Sequence, residues 1–164
     1  MILGMTPFTF FHVVLSLVGI LSGFVVVYGF LTANRLSGWA ALFLATTFLT
    51  SATGYLFPYT GFKPSYVVGG ISILVLLLAM FALYSGHLAG GWRRTYVLTS
   101  VIALYLNVFV LVAQLFMKVP ALNALAPTGT EPPFKIAQLC VLLVFVLLGI
   151  FSAKGFAREQ IRTS

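Results

Sequence analysis

The sequence predicts an all-α membrane protein: a single compact antiparallel bundle of five transmembrane helices, with the N-terminus outside and the C-terminus in the cytoplasm. Composition is the first support. Of 164 residues, 61% are hydrophobic and 7% charged, whereas a water-soluble domain carries about 25% charged residues. A soluble fold of this length still exposes roughly 30% of its unfolded surface, and too few polar residues exist to cover it. Segment length is the second support. A hydrocarbon core of about 30 Å takes about 20 apolar residues per helix, and residues 9–31, 39–58, 66–87, 95–118 and 134–153 reach that length. Charge placement is the third. Nine Lys or Arg oppose two acids, Glu131 and Glu159, and both acids lie outside the apolar runs.

The first residues, "MILGMTPFTFFHVV", lack the basic n-region and small-residue cleavage site of a secretory signal, so the first run is expected to remain as a membrane helix. His12, Ser16, Gly19 and Gly23 fall within about 60° of one of its faces. In the second run Thr46, Thr47, Thr50, Ser51, Thr53 and Gly54 occupy an arc of roughly 160°, a small, hydroxylated side suited to close helix approach. The third holds Gly69 and Gly70, read as packing residues, and closes with "HLAGGWRR". In the fourth, Ser100, Asn107 and Gln114 recur every seven residues, drifting about 20° per repeat, in line with Tyr96 and Ala103. The connector 119–133 sets Pro120, Pro127, Pro132 and Pro133 around "ALNALA" and is expected to make an interfacial helical turn, either a lid over a ligand or a plain crossover. The fifth run carries Gln138, Gly149 and Ser152, with Cys140 read as a small buried apolar side chain. A basic tail, 154–164, follows.

Orientation comes from the basic residues, which are retained on the cytoplasmic side during insertion. Arg35, Arg93, Arg94, Lys154, Arg158 and Arg162 collect at one side, and Lys63, Lys118 and Lys135 at the other. Trp39 and Trp92 fall at the inner interface and Tyr55, Tyr59 and Tyr66 at the outer, where amphipathic rings lie.

A primary amide facing lipid costs several kcal/mol, so the polar faces are expected to meet. His12, Thr53, Gln114 and Gln138 then form a cluster in the outer half of the bundle, with Asn107 deeper, near the midplane; together with Thr50 they serve as packing glue or as a pocket for a polar ligand. Arg93 and Arg94 are expected to bind anionic lipid headgroups. Basic loops beside membranes point to lipid and topology, not to nucleic acid.

Catalysis by this chain alone is not expected. No carboxylate lies in any span for a proton relay or sodium site, and ligands for metal-assisted hydrolysis are lacking. One cysteine allows neither an intrachain disulfide nor a thiolate cluster. A haem held by both histidines is disfavoured, because His12 and His87 differ in depth by ~25 Å along their helices. No metal and no cofactor is therefore expected. The function read from the sequence is a structural, accessory or assembly subunit of a bacterial inner-membrane complex, with a homo- or hetero-oligomeric partner. The alternative is a binding or transport protein for a neutral or anionic small molecule, lipid or quinone-like ligand. A haem-bearing electron-transfer subunit, sharing its haem with another chain, ranks third.

Overall fold

The computed structural model describes residues 4–58, 61 and 63–158, and every regular element is a helix. These are α1 (Pro7–Leu31), α2 (Ser37–Gly54), α3 (Pro64–Met80), α4 (Gly91–Lys118), the short α5 (Pro120–Leu125) and α6 (Pro132–Ala157). Of the expected features, Tyr59, Glu159 and Arg162 lie outside the described residues.

Four helices start where proline permits. Pro7, Pro64, Pro120 and Pro132 occupy the first turn of α1, α3, α5 and α6, where the missing N–H has no intrahelical partner to lose and φ is already helical. This moves the starts of α1, α3 and α6 two residues ahead of the apolar runs. Thr6 caps α1, its Oγ1 accepting from Thr9 N–H at 3.2 Å. The third helix ends in a way that the apolar pattern does not foretell. After Met80 it widens into one π-helical turn, Phe81–Ser85, and closes with His87 and Leu88 at φ 47° and 56°. Left-handed geometry costs roughly 1–2 kcal/mol per residue outside glycine. Burial of Leu88, 4% exposed, offsets part of it.

Ring contacts at the two ends establish the antiparallel arrangement. At one end Phe8 of α1 meets Phe57 just beyond α2 at 4.9 Å, and Phe116 of α4 meets Phe134 of α6 at 5.4 Å. At the other, Phe30 of α1 lies 5.4 Å from Tyr96 of α4 and 5.1 Å from Phe156 of α6, while Phe81 meets Trp92 at 5.1 Å. Between these ends Phe43, Leu44, Leu76, Val97 and Leu104 form an almost fully buried core.

The outer surface is apolar. On α6 alone Leu139, Leu142, Leu143, Leu147 and Phe151 point outward. In water such a surface would drive aggregation; against acyl chains it is at its lowest free energy. The helices Pro7–Leu31, Pro64–Ser85 (α3 with its π turn), Gly91–Lys118 and Pro132–Ala157 are long and apolar enough to cross a membrane, the character of an integral membrane helical bundle. The helix α2, shorter and richer in hydroxyls, is not one of these four.

One expectation is corrected. Cys140 is exposed on the outside of the bundle, because α6 turns only a narrow face inward, with Gln138, Phe145, Gly149, Ser152 and Phe156 buried. The helix α6 continues to Ala157, so the first residues of the basic tail, Lys154 among them, are helical.

Candidate functional site

The polar side chains meet inside the bundle as a series of pairs at different depths. Nearest the end that holds the α1 start, Thr53 Oγ1 donates to Leu49 O at 2.7 Å, as a hydroxyl in a helix commonly does. Its lone pairs therefore accept from His12 Nδ1–H, 2.8 Å away. Donation from Nδ1 corresponds, in a neutral ring, to the tautomer that keeps Nε2 as acceptor. Phe57 closes the ring edge-on at 5.1 Å.

One helical turn deeper on α1, Ser16 Oγ donates to Asn107 Oδ1 at 3.0 Å and so links α1 to α4. A further turn along, Gly19 lies where α1, α2 and α4 converge. A Cβ there would sit 2.9 Å from Thr47 Oγ1 and 3.3 Å from Asn107 Nδ2, so only glycine lets these atoms approach. Thr47 Oγ1 and Asn107 Nδ2 are both buried without a hydrogen-bond partner, at an expected cost of about 1–3 kcal/mol per group. On the opposite side of α4, Gln138 Nε2 of α6 donates to the Phe109 carbonyl at 3.1 Å. The third helix joins as well, with Ser51 Oγ of α2 donating to Ser72 Oγ at 3.2 Å.

The six residues expected to cluster are thus distributed. His12 bonds Thr53, Asn107 bonds Ser16, and Gln138 bonds backbone. Thr50 Oγ1 donates to the Thr46 carbonyl of its own helix at 2.8 Å. Gln114 is half-buried and makes no side-chain hydrogen bond among the described residues. Ser16 was visible in the α1 stripe yet was not placed among the six, and Ser72 was overlooked. The Phe109 carbonyl carries no side-chain signal at all. The connector forms α5 as a helical turn, fastened by Asn123 Nδ2 donating to Phe116 O at 3.2 Å.

At the other end Arg93 Nη1 donates to the Phe156 carbonyl at 3.3 Å, with the guanidinium over the Phe156 ring at 4.9 Å. This cation–π contact fixes the side chain against α6. Arg94 beside it is exposed. His12 and His87 belong to opposite ends of the bundle, so one iron cannot take both rings of a single chain.

No protein-family model matches the chain, and neither a curated protein nor a solved structure is similar to it.

Proposed function

We propose that this protein is a non-catalytic structural subunit of a bacterial inner-membrane assembly, packing against itself or against partner membrane proteins. The supporting observation is where its polar groups go. Ser16 and Asn107, His12 and Thr53, Ser51 and Ser72 pair across helices, while the outward face is made of Leu, Phe, Val and Ile. Interhelical hydrogen bonds in membranes average only about 0.6 kcal/mol, but they set register.

The reading includes five crossings. The second helix lies along the full length of α1, from Leu36 packed where a Gly29 Cβ would be to Thr53 bonded to His12. At about 1.5 Å per residue its 18 residues give about 27 Å. A helix that accompanies a spanning neighbour from end to end traverses the same depth. The N-terminus then lies outside, and the end rich in Arg and Lys lies in the cytoplasm.

Native mass spectrometry of gently extracted protein tests the role. A structural subunit appears in a defined oligomer or with a stoichiometric partner, and Asn107→Leu lowers both thermal stability and assembly. A monomer lacking any protein partner, together with an Asn107→Leu variant that keeps its stability, would overturn the proposal. Gln114 favours the second reading, a binding or transport protein for a small polar molecule, because its half-buried amide makes no side-chain hydrogen bond among the described residues. In that case Gln114→Leu abolishes retention of a small-molecule mass and leaves the melting temperature unchanged.

A further inference from the structure

A groove of about 520 Å³ runs between the first turns of α4 and the last turns of α6. Its rim carries three cations, Arg93, Arg94 and Lys154, and its walls are apolar: Val97 and Leu98 from α4, Val146 and Ile150 from α6. Leu98, Val146 and Ile150 are exposed, so the groove opens sideways from the bundle. Gly149 lies along it, and a Cβ there would meet Val101 no closer than 3.7 Å.

Depth and charge together select the occupant. From the Lys154 rim to Val146 the wall descends two turns of α6, about 12 Å at 1.5 Å per residue. Half of a hydrocarbon core is about 15 Å, so with the cations at headgroup level the apolar wall lies within one leaflet. Arg35 and Arg158 add to the positive charge of the same end. The one acid among the described residues, Glu131, caps α6 at the far end. Arg94 and Lys154 have no ion-pair partner among the described residues. Arg93 is positioned by Phe156.

We propose that this groove binds one anionic glycerophospholipid. Its phosphate lies between Arg94 and Lys154, beside Arg93, and one acyl chain lies along Val97, Leu98, Val146 and Ile150. Guanidinium supplies paired donors to phosphate oxygens, and ammonium supplies a compact charge. The inference requires the chain to lie in a bilayer and does not depend on an assembly role.

The test is native mass spectrometry of the full chain in detergent with equimolar phosphatidylglycerol and phosphatidylcholine bearing identical acyl chains. One juxtamembrane cation contributes on the order of fivefold to anionic-lipid binding. The protein is expected to retain phosphatidylglycerol over phosphatidylcholine by about fivefold or more, and the double variant Arg94→Gln with Lys154→Gln to lose most of that preference. Lys118→Gln with Lys135→Gln, at the opposite end, is expected to keep it. Raising the ionic strength should shrink the preference of the unmodified protein, which checks the charge effect without a variant. Equal retention of both lipids, or an undiminished preference in the Arg94 and Lys154 variant, overturns the proposal. Loss of preference in the opposite-end variant does so too. Displacement of the lipid by an equal concentration of free glycerol 1-phosphate would show that the apolar walls contribute nothing, and would equally end it.

Discussion

Asn107 shows what one amide does near the middle of a membrane helix. Its carbonyl oxygen accepts from Ser16, while its Nδ2 is buried beside Thr47 Oγ1 and Gly19 with no hydrogen bond. A double-mutant cycle on Ser16→Ala and Asn107→Ala should return a coupling of about 0.6 kcal/mol and not above about 1.7 kcal/mol, measured by unfolding in detergent or bicelles. Zero coupling would remove the hydrogen bond from any account of helix register. Glu131 behaves differently because it lies half-exposed at the α6 N-terminus, outside the apolar spans. The Thr128 hydroxyl, at 2.8 Å from Oε1, is the main cause that holds its carboxyl down to about 2 from 4.5, and the N–H groups of Thr128 and Thr130 assist. A depressed carboxylate stabilises the fold above its unfolded value and loses that contribution as protons return. Ordering of residues 128–131 should therefore be complete above about pH 4.5 and disappear towards about pH 2. Amide exchange at Thr128 and Thr130 would follow it, and Glu131→Gln should abolish the dependence.

Helix contacts in this bundle turn on single glycines, and the obstacle each would meet decides its importance. At Gly155 of α6 a Cβ would lie 2.6 Å from Phe30 O and 3.0 Å from Leu31 O, backbone atoms that cannot rotate away. At Gly38 in the first turn of α2 nothing lies within 4 Å. Gly155→Ala should thus destabilise by about 1–3 kcal/mol through overpacking. Gly38→Ala should be neutral or stabilising by up to about 1 kcal/mol through lost chain entropy. Thermal unfolding of the two variants in one detergent makes the comparison, and equal melting temperatures would refute it. The apolar runs locate the helices but start α1, α3 and α6 two residues late, because apolarity does not register the proline that opens each of them. The π turn after Met80 carries no sequence signal, since nothing in "FALYS" sets it apart from the apolar helix before it, and it leads into the buried Leu88.

For the whole molecule the decisive issue is the parity of its crossings. Four crossings put both termini on one side of the membrane, and five put them on opposite sides. With α2 crossing beside α1, a fluorescent reporter fused after residue 164 should mature in the cytoplasm, and a thiol introduced at Thr6 should react with an impermeant maleimide from outside. Both ends reacting on one face would mean that α2 lies within the bundle without crossing. The pairing of polar groups bears on this too, since the hydroxyls that lower the apolarity of α2 are largely turned onto α1 and α3, away from lipid.

The sequence by itself determined the medium, the helical class and the helices that turn polar residues inward. These follow from solvent physics and from a period of 3.6 residues, both local properties of the chain. It likewise placed His12, Ser16, Gly19, Asn107 and Gln138 on inner faces. Only the tertiary structure decided which of these groups touch, because partner choice depends on axial offset and rotation between helices distant in sequence. That is why Asn107 is bonded to Ser16 while Gln114, on the same stripe seven residues away, is left without a hydrogen bond among the described residues. It is also why Cys140 faces outward and why Arg94 and Lys154, sixty residues apart, border one groove.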